Sequence, residues 1–187
     1  MKLKLSNKHI AILMPIVALM FVMCSGSKKI DSKKDAINET HELMTVSYNG
    51  ISFKYPNNWD IQKNNLEEGL MYQIYCQERG DNTVNFFSII LMGYEMSPDY
   101  WISGTIDEMK NNKVYYNVEF SAITPSEFNN ISSETVDYVG ESLGEKFQGH
   151  ITSFNINEKT VLMLKHSDSK TKLDNDFRVM EESLKIE

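Results

Sequence analysis

The chain reads as an α+β protein built on an antiparallel sheet, and three observations carry that reading. Short strand-like runs follow one another with turn residues between them, without the strand–helix alternation of a parallel sheet. One run, Phe86-Phe87-Ser88-Ile89-Ile90-Leu91-Met92, is apolar at both odd and even positions, so something must cover each face of its sheet. Two segments carry helical spacing and start signals, one at Ser97 and one near Asp174.

Taken in order, Met44–Tyr48 and Ile51–Tyr55 alternate around Asn49-Gly50, a pair suited to the positive φ angles of a tight hairpin turn. Pro56-Asn57-Asn58 stops the second strand and Trp59-Asp60-Ile61-Gln62 begins another. Leu70–Gln77 and Val84–Met92 follow as strands, with Glu78-Arg79-Gly80-Asp81-Asn82 between them. Ser97-Pro98-Asp99 supplies a capping residue, a proline at the first helical position and a first-turn acid. The helix places Ile102, Ile106 and Met109 on one face and ends at Asn111-Asn112; Gly104 within it suggests close packing on the sheet. Val114–Ile123, Ser133–Val139, Lys146–Ile156 and Thr160–His166 read as strands, the last two forming a hairpin about Asn157-Glu158. A closing helix starting near Asp174 spaces Leu173, Phe177, Met180 and Leu184 by four, three and four.

Ahead of this domain, Lys2, Lys4 and Lys8 precede an apolar run from Ile10 to Met23, followed by Cys24 and the polar Ser25-Gly26-Ser27-Lys28-Lys29. The run is short of the ~20 residues that span a bilayer and suits the apolar region of a secretory signal. The arrangement resembles the start of a bacterial lipoprotein precursor, although Phe21 and Met23 stand where that pattern favours a leucine and a small residue. The resemblance implies a signal peptide over 1–23, acylation of Cys24 and a mature protein held at the cell membrane or outer membrane. Residues 24–44 balance four lysines against four acids and read as a flexible tether, spanning roughly 25 Å on average. Residues 45–187 make one domain. Loss of the three leader lysines takes the net charge from −7 to −10, a balance that repels nucleic-acid phosphates.

Ile51-Ser52-Phe53-Lys54-Tyr55-Pro56-Asn57-Asn58-Trp59 resembles the opening motif of PsbP-like domains, and Phe177-Arg178-Val179-Met180-Glu181-Glu182-Ser183-Leu184-Lys185-Ile186 resembles their closing one. The hairpin Lys146–His166 also sits where that family has one. The resemblance implies an antiparallel sheet sandwiched between α-helices. It also implies action by binding or by assisting assembly, because the superfamily includes an extrinsic photosystem II protein, a nuclear import factor, secretion chaperones and bacterial lipoproteins. The motif residues themselves are folding residues.

The residues that could carry chemistry are few. His150 and His166 lie on the two arms of the last hairpin and form a candidate metal pair, with no third ligand at useful spacing. Asp168, Asp174 and Asp176 lack the central glycine and terminal glutamate of a calcium loop, and Arg79-Gly80-Asp81 reads as turn chemistry. Cys76 reads as a buried thiol in a strand. No nucleophile elbow, zinc-protease motif or phosphate-binding loop occurs. Tyr94, Tyr100 and Trp101 form a candidate binding surface at the start of the helix, beside Glu95 and Met96. The expectation is a lipid-anchored envelope binding or assembly module without catalytic activity or cofactor, joined to the membrane through Cys24 and to a protein partner. The alternative is a carrier of a small ligand or metal.

Overall fold

The structure is a computed structural model and describes residues 42–80, 84–142, 144–169 and 177–187. The leader, Cys24 and residues 25–41 of the tether lie outside the described residues, as do Asp81, Leu173, Asp174 and Asp176.

The first hairpin forms from β1 (Leu43–Tyr48) and β2 (Ile51–Pro56), so the first strand opens inside the stretch read as tether. Its turn residues Asn49 and Gly50 have φ of 46° and 83°, the geometry that asparagine and glycine tolerate best. Then come β3 (Trp59–Glu67), β4 (Met71–Glu78) and β5 (Phe86–Met92). α1 (Pro98–Asn111) follows. Ser97 does not cap the backbone with its side chain; its hydroxyl donates to Asp99 Oδ1 instead. That bond, with one from the Tyr100 backbone N–H, holds the Asp99 carboxyl below its usual range.

β6 (Tyr115–Phe120), β7 (Thr124–Phe128), β8 (Ile131–Ser142), β9 (Glu145–Ile156) and β10 (Lys159–Ser167) complete the larger sheet. The run expected as one strand from Val114 to Ile123 ends at Phe120. Asn117 takes a φ of 51° and the register with β8 shifts between Tyr116 and Glu119. β7, which carries Pro125, then pairs with the remainder of β8. The chain ends in α2 (Arg178–Glu182) and β11 (Lys185–Ile186).

The larger sheet runs in the order β3-β4-β5-β10-β9-β8-β6, with β7 also on β8, and its described strands pair antiparallel. The smaller sheet is β1-β2-β11. The fold is therefore sheet-dominant, and the expectation of a sheet with helices on both faces is corrected. α1 covers one face; the other is covered by the smaller sheet with the five-residue α2. Lys185 and Ile186 pair with Ser52 and Ile51, so the end of the closing motif adds a third strand to the smaller sheet.

β5 is buried at all seven positions. Phe86, Ile90 and Met92 face the α1 side with Trp101, Ile102 and Met109; Phe87, Ile89 and Leu91 face the other layer with Phe53, Trp59 and Phe177. The opening and closing motifs meet in that second core. Trp59 stands edge-on to Phe177 at 5.5 Å between ring centroids, and Phe53 edge-on to Phe87 at 5.3 Å. The Lys54 backbone N–H donates to Ser183 Oγ at 2.8 Å. These residues hold the second layer onto the sheet.

Candidate functional site

The structure separates the two hairpin histidines. Across β10 and β9, Lys165 stands opposite His150 while His166 stands opposite Gly149. Adjacent positions on a strand face opposite sides of a sheet, so the two rings point away from each other and do not form a metal pair. Among the described residues, no group of three or more His, Cys, Asp or Glu side chains is placed to hold a metal ion.

His166 belongs to the core on the α1 side. Its ring stacks on Phe86 at 4.7 Å and lies 4.4 Å from Phe147, with Tyr115 and Tyr138 closing around it. Tyr138 reaches this point by crossing Gly149, its partner on β9. A Cβ at Gly149 would run into the Tyr138 ring and come within 2.5 Å of the Lys165 carbonyl oxygen, so glycine is required there. Tyr138 Oη donates to the Lys165 carbonyl at 3.2 Å and lies 3.1 Å from His166 Nδ1. Both contacts are satisfied when Nδ1–H donates to the phenol oxygen. Desolvation pushes the His166 imidazole down from 6.5 to about 3 and the Tyr138 phenol upward. The ring is thus a neutral core member.

His150 looks out from the opposite face and meets two residues of β8. Asp137 is its direct register partner, and Thr135 lies two residues back on the same face. His150 Nδ1 is 2.7 Å from Asp137 Oδ1, and His150 Nε2 is 2.7 Å from Thr135 Oγ1. An ionised carboxylate can only accept, so Nδ1 carries a proton and donates to Asp137. The Thr135 hydroxyl has a second acceptor in the Ile151 carbonyl oxygen at 3.0 Å. In the neutral ring the hydroxyl donates to Nε2; in the imidazolium, Nε2–H donates to the hydroxyl, which turns to Ile151.

This group sits where the second layer stops. Lys165, the next residue in the row after Asp137 and His150, pairs with Glu181 of α2 at 2.9 Å. Beyond that pair the face opens: the Asp137 side chain is 75% exposed and that of His150 26%. Two residues before Thr135 on this face, Ser133 Oγ is buried with no hydrogen-bond partner among the described residues. A hydroxyl, an imidazole and a carboxylate are thus connected in this order by two hydrogen bonds. Sequence reasoning named His150 but missed Thr135 and Asp137. Their alternation along a strand was visible; the β8–β9 register that sets them against His150 was not.

The remaining candidates are placed as follows. Trp101 is buried in the core under α1, Tyr94 is half-buried against the same core, and Tyr100 is 52% exposed. The three do not line one groove. Burial, with Glu67 nearby, pushes the Tyr94 phenol upward. Cys76 is fully buried in β4 and its thiol is pushed up by desolvation, the environment of an inert thiol. Arg79 pairs with Asp60 at 2.7 Å and donates to the Asn57 carbonyl at 2.9 Å, a turn-closing role. No helix among the described residues is long and apolar enough to cross a membrane.

Neither a family model nor a curated protein sequence matches the chain. Similarity appears among solved structures. The solution structure of cyanobacterial PsbP (CyanoP) from Synechocystis aligns with a TM-score of 0.56 at 12% identity, covering 83% of this chain and 98% of that one. The crystal structure of LpqN, involved in cell envelope biogenesis of Mycobacterium tuberculosis, aligns with a TM-score of 0.42 at 11% identity, over 80% of this chain and 92% of that one. With its antiparallel sheet, the long helix α1 on one face and the covering hairpin on the other, the chain has the PsbP-like fold.

Proposed function

We propose that this protein is a lipid-anchored module of a bacterial cell envelope that acts by binding or assembling a protein partner. The order of parts at the N-terminus carries the reading: lysines, a short apolar run, Cys24, a charge-balanced polar stretch, and a first strand at Leu43. Two or three acyl chains, each methylene contributing ~0.8 kcal/mol, would hold such a chain firmly at a bilayer surface. The polar stretch would let the domain turn freely above it. Without its leader lysines the chain would carry a net charge of −10, three below the −7 of the full sequence, a balance that disfavours anionic headgroups and nucleic acid as targets. The PsbP-like fold supports binding over catalysis only by analogy, since function resides in sites carried by a fold.

The test is metabolic labelling with an alkyne-bearing palmitate in a lipoprotein-processing bacterium, followed by membrane fractionation. The native chain takes up label and sediments with membranes; Cys24→Ser takes up none and is released. Label persisting in Cys24→Ser, or no label in the native chain, defeats the anchoring. For the binding role, a photo-crosslinker replacing the exposed Tyr100 or Tyr116 should give discrete adducts in cells. Absence of adducts at both positions defeats it.

A further inference from the structure

We propose that Thr135 is a base-activated hydroxyl that accepts an acyl group from an activated ester, with His150 as the base and Asp137 as the group that orients it. The hydroxyl, the base and the orienting carboxylate stand within hydrogen-bond reach of one another. Thr135 Oγ1 lies 2.7 Å from His150 Nε2, and the other ring nitrogen lies 2.7 Å from Asp137 Oδ1. That is the reach a nucleophile, a base and its orienting carboxylate need. The site opens to solvent past the end of the second layer, so an acyl donor can approach from the Asp137 side.

In the step proposed, Thr135 Oγ1 attacks the ester carbonyl carbon while its proton passes to Nε2. Asp137 holds the imidazolium so formed. The bond from the carbonyl carbon to the leaving oxygen breaks, the leaving group departs with that electron pair, and the proton follows it or passes to water. One ester is exchanged for another, with no oxidant or reductant involved.

The same geometry limits the reaction to about one acyl group per chain. β8 is paired on both sides here, Thr135 lying opposite Thr124 of β7 and Thr152 of β9. Its backbone N–H is committed to the ladder and cannot serve a tetrahedral oxyanion. Acylation of a good leaving-group ester is feasible under those conditions, whereas hydrolysis of the resulting threonine ester is slow. Thr135 is thereby a modification site, not the centre of a turnover enzyme, and the proposal stands whether or not Cys24 anchors the chain.

The experiment exposes the full-length protein to p-nitrophenyl acetate, follows p-nitrophenolate release by absorbance and maps acetyl groups by mass spectrometry. Expected is a burst close to one equivalent with the acetyl group on Thr135. His150→Gln slows acetylation of Thr135 by about 100-fold, the low end of general-base catalysis. Thr135→Val abolishes the burst, and Thr135→Ser, which keeps the hydroxyl, restores it. Circular dichroism of each variant checks that the sheet is retained. Acetyl groups spread over lysines and tyrosines without preference for Thr135 would overturn the proposal. So would a Thr135 adduct that forms equally fast in His150→Gln, or a burst that survives in Thr135→Val.

Discussion

Burial pushes the His166 imidazole from 6.5 down to about 3, and that displacement makes the stability of the fold depend on pH. The unfolded ring takes up a proton as pH falls through its ordinary value, while the folded ring stays neutral until about 3. Between those limits the unfolded chain binds more protons, so stability is complete above about pH 6.5 and is lost progressively as pH falls. Urea midpoints measured at about pH 7.5 and about pH 4.5 should therefore differ, and His166→Phe should reduce the difference. Phenylalanine preserves the stacking on Phe86 and Phe147, and Tyr138 keeps the Lys165 carbonyl as its acceptor. An unchanged difference in the variant would assign the acid sensitivity to other groups. One register step away His150 is solvent-accessible and paired with Asp137 and Thr135. Nothing in the residue type foretells that divergence; it follows from the side of the sheet on which each ring emerges.

At the scale of elements, α1 shows how local signals and packing divide the work. Its start at Ser97-Pro98 follows from proline geometry at the first helical position, and its last turn closes where the Asn112 backbone N–H donates to the Met109 carbonyl. Its buried face, Trp101, Ile102, Thr105 and Met109, is set against the sheet. The sequence suggested that Gly104 marks close packing of this helix, and the structure corrects it: a Cβ there would meet nothing within 4 Å, and the residue is exposed. Gly104→Ala should then stabilise the protein by about 1 kcal/mol through helix propensity alone, read as a rise in the thermal midpoint. Destabilisation would mean that the glycine relieves a contact absent from this geometry. The strand reading was sound where alternation or two-sided apolarity was strong, as in β2 and β5. It failed at β7 and β11. Thr124–Phe128 carries a proline and is mostly exposed, and Lys185–Ile186 is too short to show a period. Both are strands only because a partner strand offers hydrogen bonds.

Over the whole molecule, the two ends of the domain are tied together. β11 pairs with β2, the Glu187 backbone N–H donates to the Gly50 carbonyl at 2.9 Å, and Lys159 Nζ donates to the Glu187 carbonyl oxygen at 2.6 Å. Ile51, fully buried, lies opposite Ile186. Deleting Lys185–Glu187 should cost roughly 2–3 kcal/mol by uncovering that pair and freeing its backbone groups. The loss would be measured as a lower denaturation midpoint. An unchanged midpoint would show that the smaller sheet does not depend on its third strand.

What the sequence determined by itself is what is written locally. The NG hairpin, the helix start, the doubly apolar central strand and the aromatic motifs each lie within about ten residues, where turn, proline and periodicity rules operate. Only the tertiary structure decided what covers the second face, which histidine is buried, and that Thr135 and Asp137 meet His150. Those outcomes rest on pairings between segments far apart in the chain. A one-residue change of register would reverse the face of every side chain involved.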